Sequence, residues 1–229
     1  MAETLPHPSV HWVTDTHGSS IWGVSTCRFS RELKDQGRVF GVKFTPGGFY
    51  PFLRSPIASF TDDFLPLDAV FGVRGRAIGK ELRALAGVPH SDEQMMDVVD
   101  EFLLTQLPDP DLQLDTVAQI IAAIRSRRDI TKVEQVARRF EMSLRSLERL
   151  FSRYVGVSPR WVLKRYRLHE AVEQIAAGQP ANWSRLALDL GYFDQTHVIK
   201  DFKALVGKSP AEYVRELHSR EAFREGSES

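Results

Sequence analysis

The chain has 229 residues, 42% of them apolar, and 30 Lys/Arg balance 30 Asp/Glu. That content is ordinary for a globular protein and excludes wholesale disorder, while the length accommodates one large domain or two modest ones. A single cysteine, Cys27, excludes an internal disulfide and a cysteine-rich metal site, and the lack of any long apolar run or basic-then-apolar N-terminus predicts a cytoplasmic protein without a membrane span.

The zero net charge hides a split: residues 1–115 carry 10 Lys/Arg against 16 Asp/Glu, whereas residues 116–229 carry 20 against 14. An acidic half joined to a basic half suggests two tasks, the basic one directed at a polyanion. In chain order, Ser9–Thr14, Ser20–Phe29 and Arg38–Thr45 read as strands, split by Gly18 and by Lys34–Gly37 and stopped by Thr45-Pro46-Gly47-Gly48. From about Gly75 the period turns helical, with Ile78, Leu82, Leu85 and Ala86 on one face. A second helix is predicted over Asp92–Leu107, opened by a Ser91/Gln94 capping box.

Pro108-Asp109-Pro110-Asp111 is the clearest linker, since two prolines in three residues cannot continue a helix. Beyond it the helices expected are Leu114–Ser126, Lys132–Phe140, Leu144–Tyr154, Pro159–Ala177, Trp183–Leu190, Gln195–Val206 and Pro210–Glu216. Thr131 with Glu134 and Ser209 with Glu212 read as capping boxes, and Ser158-Pro159 opens its helix as Ser209-Pro210 does. The fold class expected is α+β: a β-rich half with helices over 1–110, an all-α half over 111–218 and a flexible tail over 219–229.

The all-α half repeats itself. Phe151-x4-Gly156-x-Ser158-Pro159 returns as Phe202-x4-Gly207-x-Ser209-Pro210, offset by 51 residues, and Ala137 and Phe140 correspond to Ala187 and Leu190 with one residue's difference in the turn. A short helix, a tight turn and a second helix, twice, fit two helix-turn-helix units. A helix fits the major groove of DNA and offers its N-terminal residues to base edges, so it needs a polar outer stripe and an apolar inner one. In the first unit Leu144, Leu147, Leu150 and Phe151 form the inner stripe, with Arg145, Glu148 and Arg149 off it. In the second, Val198, Phe202, Leu205 and Val206 pack, while Gln195, Thr196, Ile199 and Lys200 face outward. Arg can take guanine, Gln adenine and Glu cytosine, and Ile199 can touch a thymine methyl. Arg138, Arg139, Arg153, Arg160, Lys164, Arg165 and Lys203 form a group of phosphate-contact candidates. One such helix alone would be an ordinary amphipathic helix; two with matched terminators on the basic side favour DNA.

The segment Leu114–Arg215 resembles the DNA-binding domain of AraC/XylS-type bacterial transcription regulators. The resemblance is carried by Ser143-x3-Leu147-x-Arg149-x-Phe151, Gly156-x-Ser158-Pro159, Arg167-Leu168-x2-Ala171 and Leu186-Ala187-x3-Gly191-Tyr192. It continues through Asp194-Gln195-x-His197, Phe202-Lys203 and Gly207-x-Ser209-Pro210-x2-Tyr213. It implies that Arg145, Glu148 and Arg149 read bases for the first unit and Gln195, Thr196, Ile199 and Lys200 for the second. Pro159–Ala177 is then the long helix that holds the units apart, with Trp161, Leu168, Val172 and Ile175 as its inward stripe. The units would enter successive major grooves, about one turn or roughly 34 Å apart. Two departures stand out: Val198 replaces a usual phenylalanine, and Glu141 replaces a usual turn glycine, at a cost on the order of 1 kcal/mol if left-handed.

Phe44-x-Pro46-Gly47-Gly48, followed by Asp62-Asp63 and Pro66-Leu67, is similar to the N-terminal region of some regulators of this type. The resemblance implies a compact cupin-like scaffold for small-molecule sensing or dimerisation, here starting late and incomplete, with edge strands that need a partner. The partners implied are double-stranded DNA and a second copy of the chain, with room for RNA polymerase and a small-molecule effector. No cofactor, metal or catalytic residue is assigned. His7, His11 and His17 lack the carboxylates or cysteines of a metal site, and Cys27 reads as a small core residue on a strand. Trp12, Trp22, Phe44, Phe49, Tyr50 and Phe52 read as barrel core rather than pocket lining. The alternative is an enzyme or repair module in the N-terminal half that uses the basic half only to find DNA; a third reading is a truncated competitor.

Overall fold

The computed structural model describes residues 2–4, 7–15, 18–27, 29–31, 39–88, 90–107, 109–178 and 182–215. His17, the Lys34–Gly37 break, Pro108 and the 219–229 tail lie outside the described residues, as does the side chain of Leu205.

Strands β2 (His11–Thr14), β3 (Ser19–Trp22), β5 (Phe40–Lys43) and β6 (Phe64–Pro66) form an antiparallel sheet in the order β5-β2-β3-β6. Strands β1 (Ala2–Thr4) and β4 (Phe29–Arg31) pair separately. Period-2 alternation turns Trp12 and Ile21, opposite each other in register, to the same buried face. The buried Trp12 indole donates to Thr14 Oγ1 at 3.1 Å, so the polar end of a large core side chain is satisfied. The expected strand over Ser20–Phe29 ends early, at Trp22. There Gly23 lies so close to the Phe60 backbone that a Cβ would sit 2.0 Å from its carbonyl oxygen, and Gly23 N–H bonds to Asp63 O. The chain therefore leaves the sheet, and Cys27 is exposed on the loop beyond, not a core residue on a strand.

Helix α1 (Tyr50–Leu53) and a 3₁₀ segment (Ile57–Phe60) follow the Pro46-Gly47-Gly48 turn. Helices α2 (Leu67–Ala86) and α3 (Asp92–Thr105) then cover the sheet with Leu67, Ile78, Leu82, Ala86, Met95 and Val99. Helix α2 begins eight residues before the helical period becomes clear, because its backbone breaks at Gly72, φ +60°, ψ −141°. The Ser91 side chain caps no amide of α3. Instead Ser91 Oγ is buried and lies 2.7 and 2.8 Å from the carbonyls of Leu85 and Val88, to which it donates at the end of α2.

The C-terminal half consists of α4 (Leu112–Ser126), α5 (Val133–Arg139), α6 (Leu144–Tyr154), α7 (Pro159–Ala176), α8 (Trp183–Asp189) and α9 (Gln195–Val206), with a last helical stretch over 210–215. The architecture is thus α+β, an antiparallel sheet with helices followed by an all-α region. At α5 the cap differs from expectation. Gln135, not Glu134, reaches back, its Oε1 accepting from the backbone N–H of both Thr131 and Lys132 at 2.8 Å. The Ser209/Glu212 box forms, with Glu212 Oε2 2.7 Å from Ser209 N and Ser209 Oγ 3.3 Å from Glu212 N.

Among the described residues, two hydrophobic clusters hold the molecule. The larger runs from Trp12, Ile21, Phe49, Ile57 and Phe60 through Leu82 and Met95 to Ile120, Leu147, Phe151 and Val162, crossing position 110 without a break. The smaller joins Leu168, Val172 and Ile175 of α7 to Ala187 of α8 and Val198, Phe202 and Val206 of α9. Among the described residues no helix is long and apolar enough to cross a membrane.

Candidate nucleic-acid interface

The internal repeat of the sequence is a repeat of hydrogen bonds. In the turn after α5, Phe140 N bonds to Val136 O, Glu141 N to Arg138 O and Met142 N to Ala137 O. After α8, Leu190 N bonds to Leu186 O, Gly191 N to Leu188 O and Tyr192 N to Ala187 O. Ser143 then caps α6 by accepting from Ser146 N at 3.1 Å, and Asp194 caps α9 by accepting from His197 N at 3.0 Å. Each second helix ends toward a serine-capped successor, with Ser158 Oγ accepting from Trp161 N and Ser209 Oγ from Glu212 N. Both copies are therefore short helix, left-handed turn and second helix.

The turn residue itself is left-handed in both, at φ +64° for Gly191 and +52° for Glu141. Glycine adopts this conformation freely; a residue with a Cβ does so against steric resistance. The first unit accepts that strain with Glu141 exposed to solvent.

On α6 the buried stripe is Leu147, Leu150, Phe151 and Tyr154, and Arg145, Glu148 and Arg149 are all exposed on the opposite side. Leu144, expected in the inner stripe, is 45% exposed at the first turn. On α9 Val198 and Phe202 are fully buried and Val206 nearly so, while Gln195, Thr196 and Lys200 are exposed and Ile199 is half-buried. Phe202 packs edge-on to Trp183 of α8, ring centroids 5.1 Å apart, in the same cluster as Val198. Gln195 Oε1 also accepts from Ser184 Oγ at 3.1 Å. At the same N-terminus His197 Nδ1 lies 2.9 Å from Asp194 Oδ1, and its contact holds the Asp194 carboxyl below the usual carboxylate range.

The seven phosphate candidates divide. Arg138 and Arg139 on α5, Arg160 at the start of α7 and Lys203 on α9 are exposed. Arg153 is exposed too, but its Nε donates to the Tyr50 hydroxyl and its guanidinium stacks 5.0 Å from the Tyr50 ring and 5.8 Å from that of Tyr154. Arg165 points inward. It is 7% exposed, donates to Thr26 O at 3.1 Å, lies 4.4 Å from the Trp161 ring, and burial brings its pKa down to about 10. Lys164 is also turned inward, its Nζ 3.8 Å from the centroid of the Tyr192 ring.

Three features were not anticipated as parts of the site. Arg167, 4% exposed, gathers the carbonyls of Ile124 and Arg127 at 2.6 Å each and so ties α7 to the end of α4. Tyr154 donates to Asp111 at 2.6 Å, and burial with that bond pushes its pKa to about 12; the Pro-Asp linker is thus clasped to the first unit. Phe193 is 92% exposed immediately before Asp194, beside the α9 N-terminus. The sequence signal for Phe193 was an aromatic inside a turn, outside the apolar register of either flanking helix.

Comparison with known proteins follows this division. Residues 136–216 match the family model of a helix-turn-helix domain, and residues 1–66 match that of a domain of unknown function. The C-terminal segment thus carries a helix-turn-helix domain. An uncharacterized HTH-type transcriptional regulator of Haemophilus influenzae is 27% identical over 121 residues, 53% of this chain; the match spans 39% of that relative's length. Among solved structures, the DNA-binding domain of AdpA, a global transcriptional factor in complex with a target DNA, aligns at a TM-score of 0.37 and 23% identity over 48% of this chain and 96% of its own. ToxT of Vibrio cholerae aligns at 0.42 and 12% identity over 94% of this chain and 92% of its own.

Proposed function

We propose that the chain is a cytoplasmic, sequence-specific DNA-binding transcription regulator, not an enzyme, whose two helix-turn-helix units enter successive major grooves. The observation that supports this most is the exposed stripe Arg145, Glu148 and Arg149 on α6, repeated as Gln195, Thr196 and Lys200 on α9, each set on a helix fixed by the same turn and cap. Arg149 and Arg145 are assigned to guanine and Gln195 to adenine; Ile199 and the exposed Phe193 can touch thymine methyls or sugar. Arg138, Arg139, Arg160 and Lys203 are assigned to phosphates, and Arg153 joins them only by leaving Tyr50. Arg165 is left out, because its guanidinium is buried on Thr26 O. Residues 111–218 form the DNA-reading segment and 1–110 the controlling one, for which a second copy of the chain, a small-molecule effector and RNA polymerase are the partners proposed.

The test is selection of binding sites from random duplex, followed by titration of the wild type and Arg149→Ala on the selected site. Recovery of one recurring sequence, with preference at a single base pair relaxed by Arg149→Ala, supports the reading. Recovery of no preferred sequence by the folded chain overturns it.

A further inference from the structure

Two helices and the turn between α8 and α9 meet at one polar point. Lys164 of α7 places its ammonium 3.8 Å from the Tyr192 ring centroid and 3.9 Å from Asp201 Oδ2. Tyr192, in the turn between α8 and α9, donates its hydroxyl to the same Asp201 Oδ2. Asp201 belongs to α9, and the backbone N–H of Tyr192 is fixed to Ala187 O of α8 at 2.9 Å. We propose that Lys164, Tyr192 and Asp201 form a clamp that sets the angle of the second reading helix on α7, and with it the separation of DNA subsites that the two units accept. This rests on the DNA-binding reading above and makes Lys164 a positioning residue, not a phosphate contact.

The second unit is also held by apolar contact. Its apolar attachment uses Leu168, Val172 and Ile175 of α7 against Val198, Phe202 and Val206. Leu190, at the end of α8, adds a contact with the main core, but hydrophobic contact is non-directional and leaves α9 itself room to rock. Lys164 stands two helical turns before Val172, on the order of 12 Å along the α7 axis. A second attachment at that distance removes the rotation that the first allows.

The contacts are suited to directional work. An isolated exposed ion pair at this distance contributes little. Here, however, the Lys164 side chain is 27% exposed, with the Tyr192 ring face covering its ammonium, a geometry in which the ring quadrupole adds to the carboxylate's attraction. Burial pulls the Lys164 pKa below its ordinary value against the pull of Asp201, and burial with the Asp201 hydrogen bond pushes that of Tyr192 well up. The fields of Arg160 and Arg165 also reach Tyr192, and Asp201 attracts Arg165 as well as Lys164. A lysine held in this way is turned toward Tyr192 and Asp201.

The experiment uses the full chain in a Cys27→Ser background, with spin labels at Ser152→Cys on α6 and Ala204→Cys on α9, both exposed positions. Without DNA, the inter-label distance distribution is recorded for this parent, Lys164→Gln and Tyr192→Phe; the last keeps the ring and removes only the hydroxyl. Both substitutions are expected to broaden the distribution. On duplexes carrying the selected subsites, native or displaced by two base pairs, Lys164→Gln is expected to reduce preference for the native spacing about fivefold, the scale of one cation–π contact. The slope of log affinity against log salt should not change. An unchanged distance distribution overturns the clamp. So does a salt slope that falls by about 0.9 with spacing preference intact, the signature of a lost phosphate contact. If the wild type selects no duplex, the DNA-binding reading fails by itself, while the label distances still decide the clamp.

Discussion

The two helix-turn-helix units share their local chemistry and differ in what they are fastened to. The first is set into the main core: Phe151 and Leu147 lie in the same hydrophobic cluster as Trp12 of the sheet and Ile57 of the 3₁₀ segment. Gly156, at φ +93°, approaches so near that a Cβ would meet Ile57 Cγ2 at 2.7 Å, and its carbonyl accepts from Thr61 Oγ1, also at 2.7 Å. The second unit has its own small cluster on the far part of α7. Helix α6 is therefore continuous with the core of the N-terminal half, whereas α9 packs in a cluster of its own on α7. A change in the N-terminal half is felt directly by α6 and reaches α9 through α7 and through Leu190 and Tyr192, which touch the main core from the α8–α9 turn.

The strongest way to break this comparison is to empty each core in turn. Phe151→Ala and Phe202→Ala remove equivalent, fully buried rings, and each should cost about 3–5 kcal/mol. Phe151→Ala should lower the urea midpoint reported by the sheet tryptophans Trp12 and Trp22 together with that of the helices. Phe202→Ala should unfold α8 and α9 first and leave the main transition in place. A single shared transition lowered equally by both would show one cooperative unit.

Next in size, Arg149→Ala is expected to cost about 1–3 kcal/mol in specific binding, read by gel-shift titration, with base preference relaxed at one position of the first subsite. The turns sharpen the comparison at lower energy. Glu141→Gly relieves a left-handed non-glycine residue and should stabilise the first unit by up to about 1 kcal/mol, whereas Gly191→Ala should destabilise the second by about that amount. Chemical denaturation of both variants checks the opposite signs.

The smallest effect concerns acid. His7 packs edge-on against His169 of α7, ring centroids 4.4 Å apart. Burial, then the charges of His169, Lys43, His11 and Arg165, lower the His7 pKa from 6.5 to about 4. Between those values the unfolded chain binds more protons than the folded one, so stability from this group is complete above pH 6.5 and declines as pH falls toward 4. His7→Gln should flatten part of that decline in a series of melting curves, and an unaltered pH profile would remove His7 from the account.

Much of this was legible from residue order. The bounds of α6 and α9 follow from apolar period and caps, Leu144–Tyr154 and Gln195–Val206, because amphipathic period, N-cap and terminating glycine agree there. The short elements were not legible: α1, the 3₁₀ segment and β6 span three or four residues each, too few for any period to declare itself. Charge was legible as a count but not as a direction. Arg138 and Arg165 look alike in sequence, yet one lies on the surface and the other is turned onto Thr26 O by the approach of a loop 139 residues away in the chain. For the same reason Tyr50 gave no sign that it would hold Arg153.

The central claim, two reading heads with unequal anchorage, is tested most directly by a methylation-interference footprint on the selected duplex. The wild type is predicted to give two patches of interference on one face, about one helical turn apart. Phe202→Ala should lose one patch and keep the other. A single patch for the wild type, or loss of both patches together in Phe202→Ala, would contradict the account.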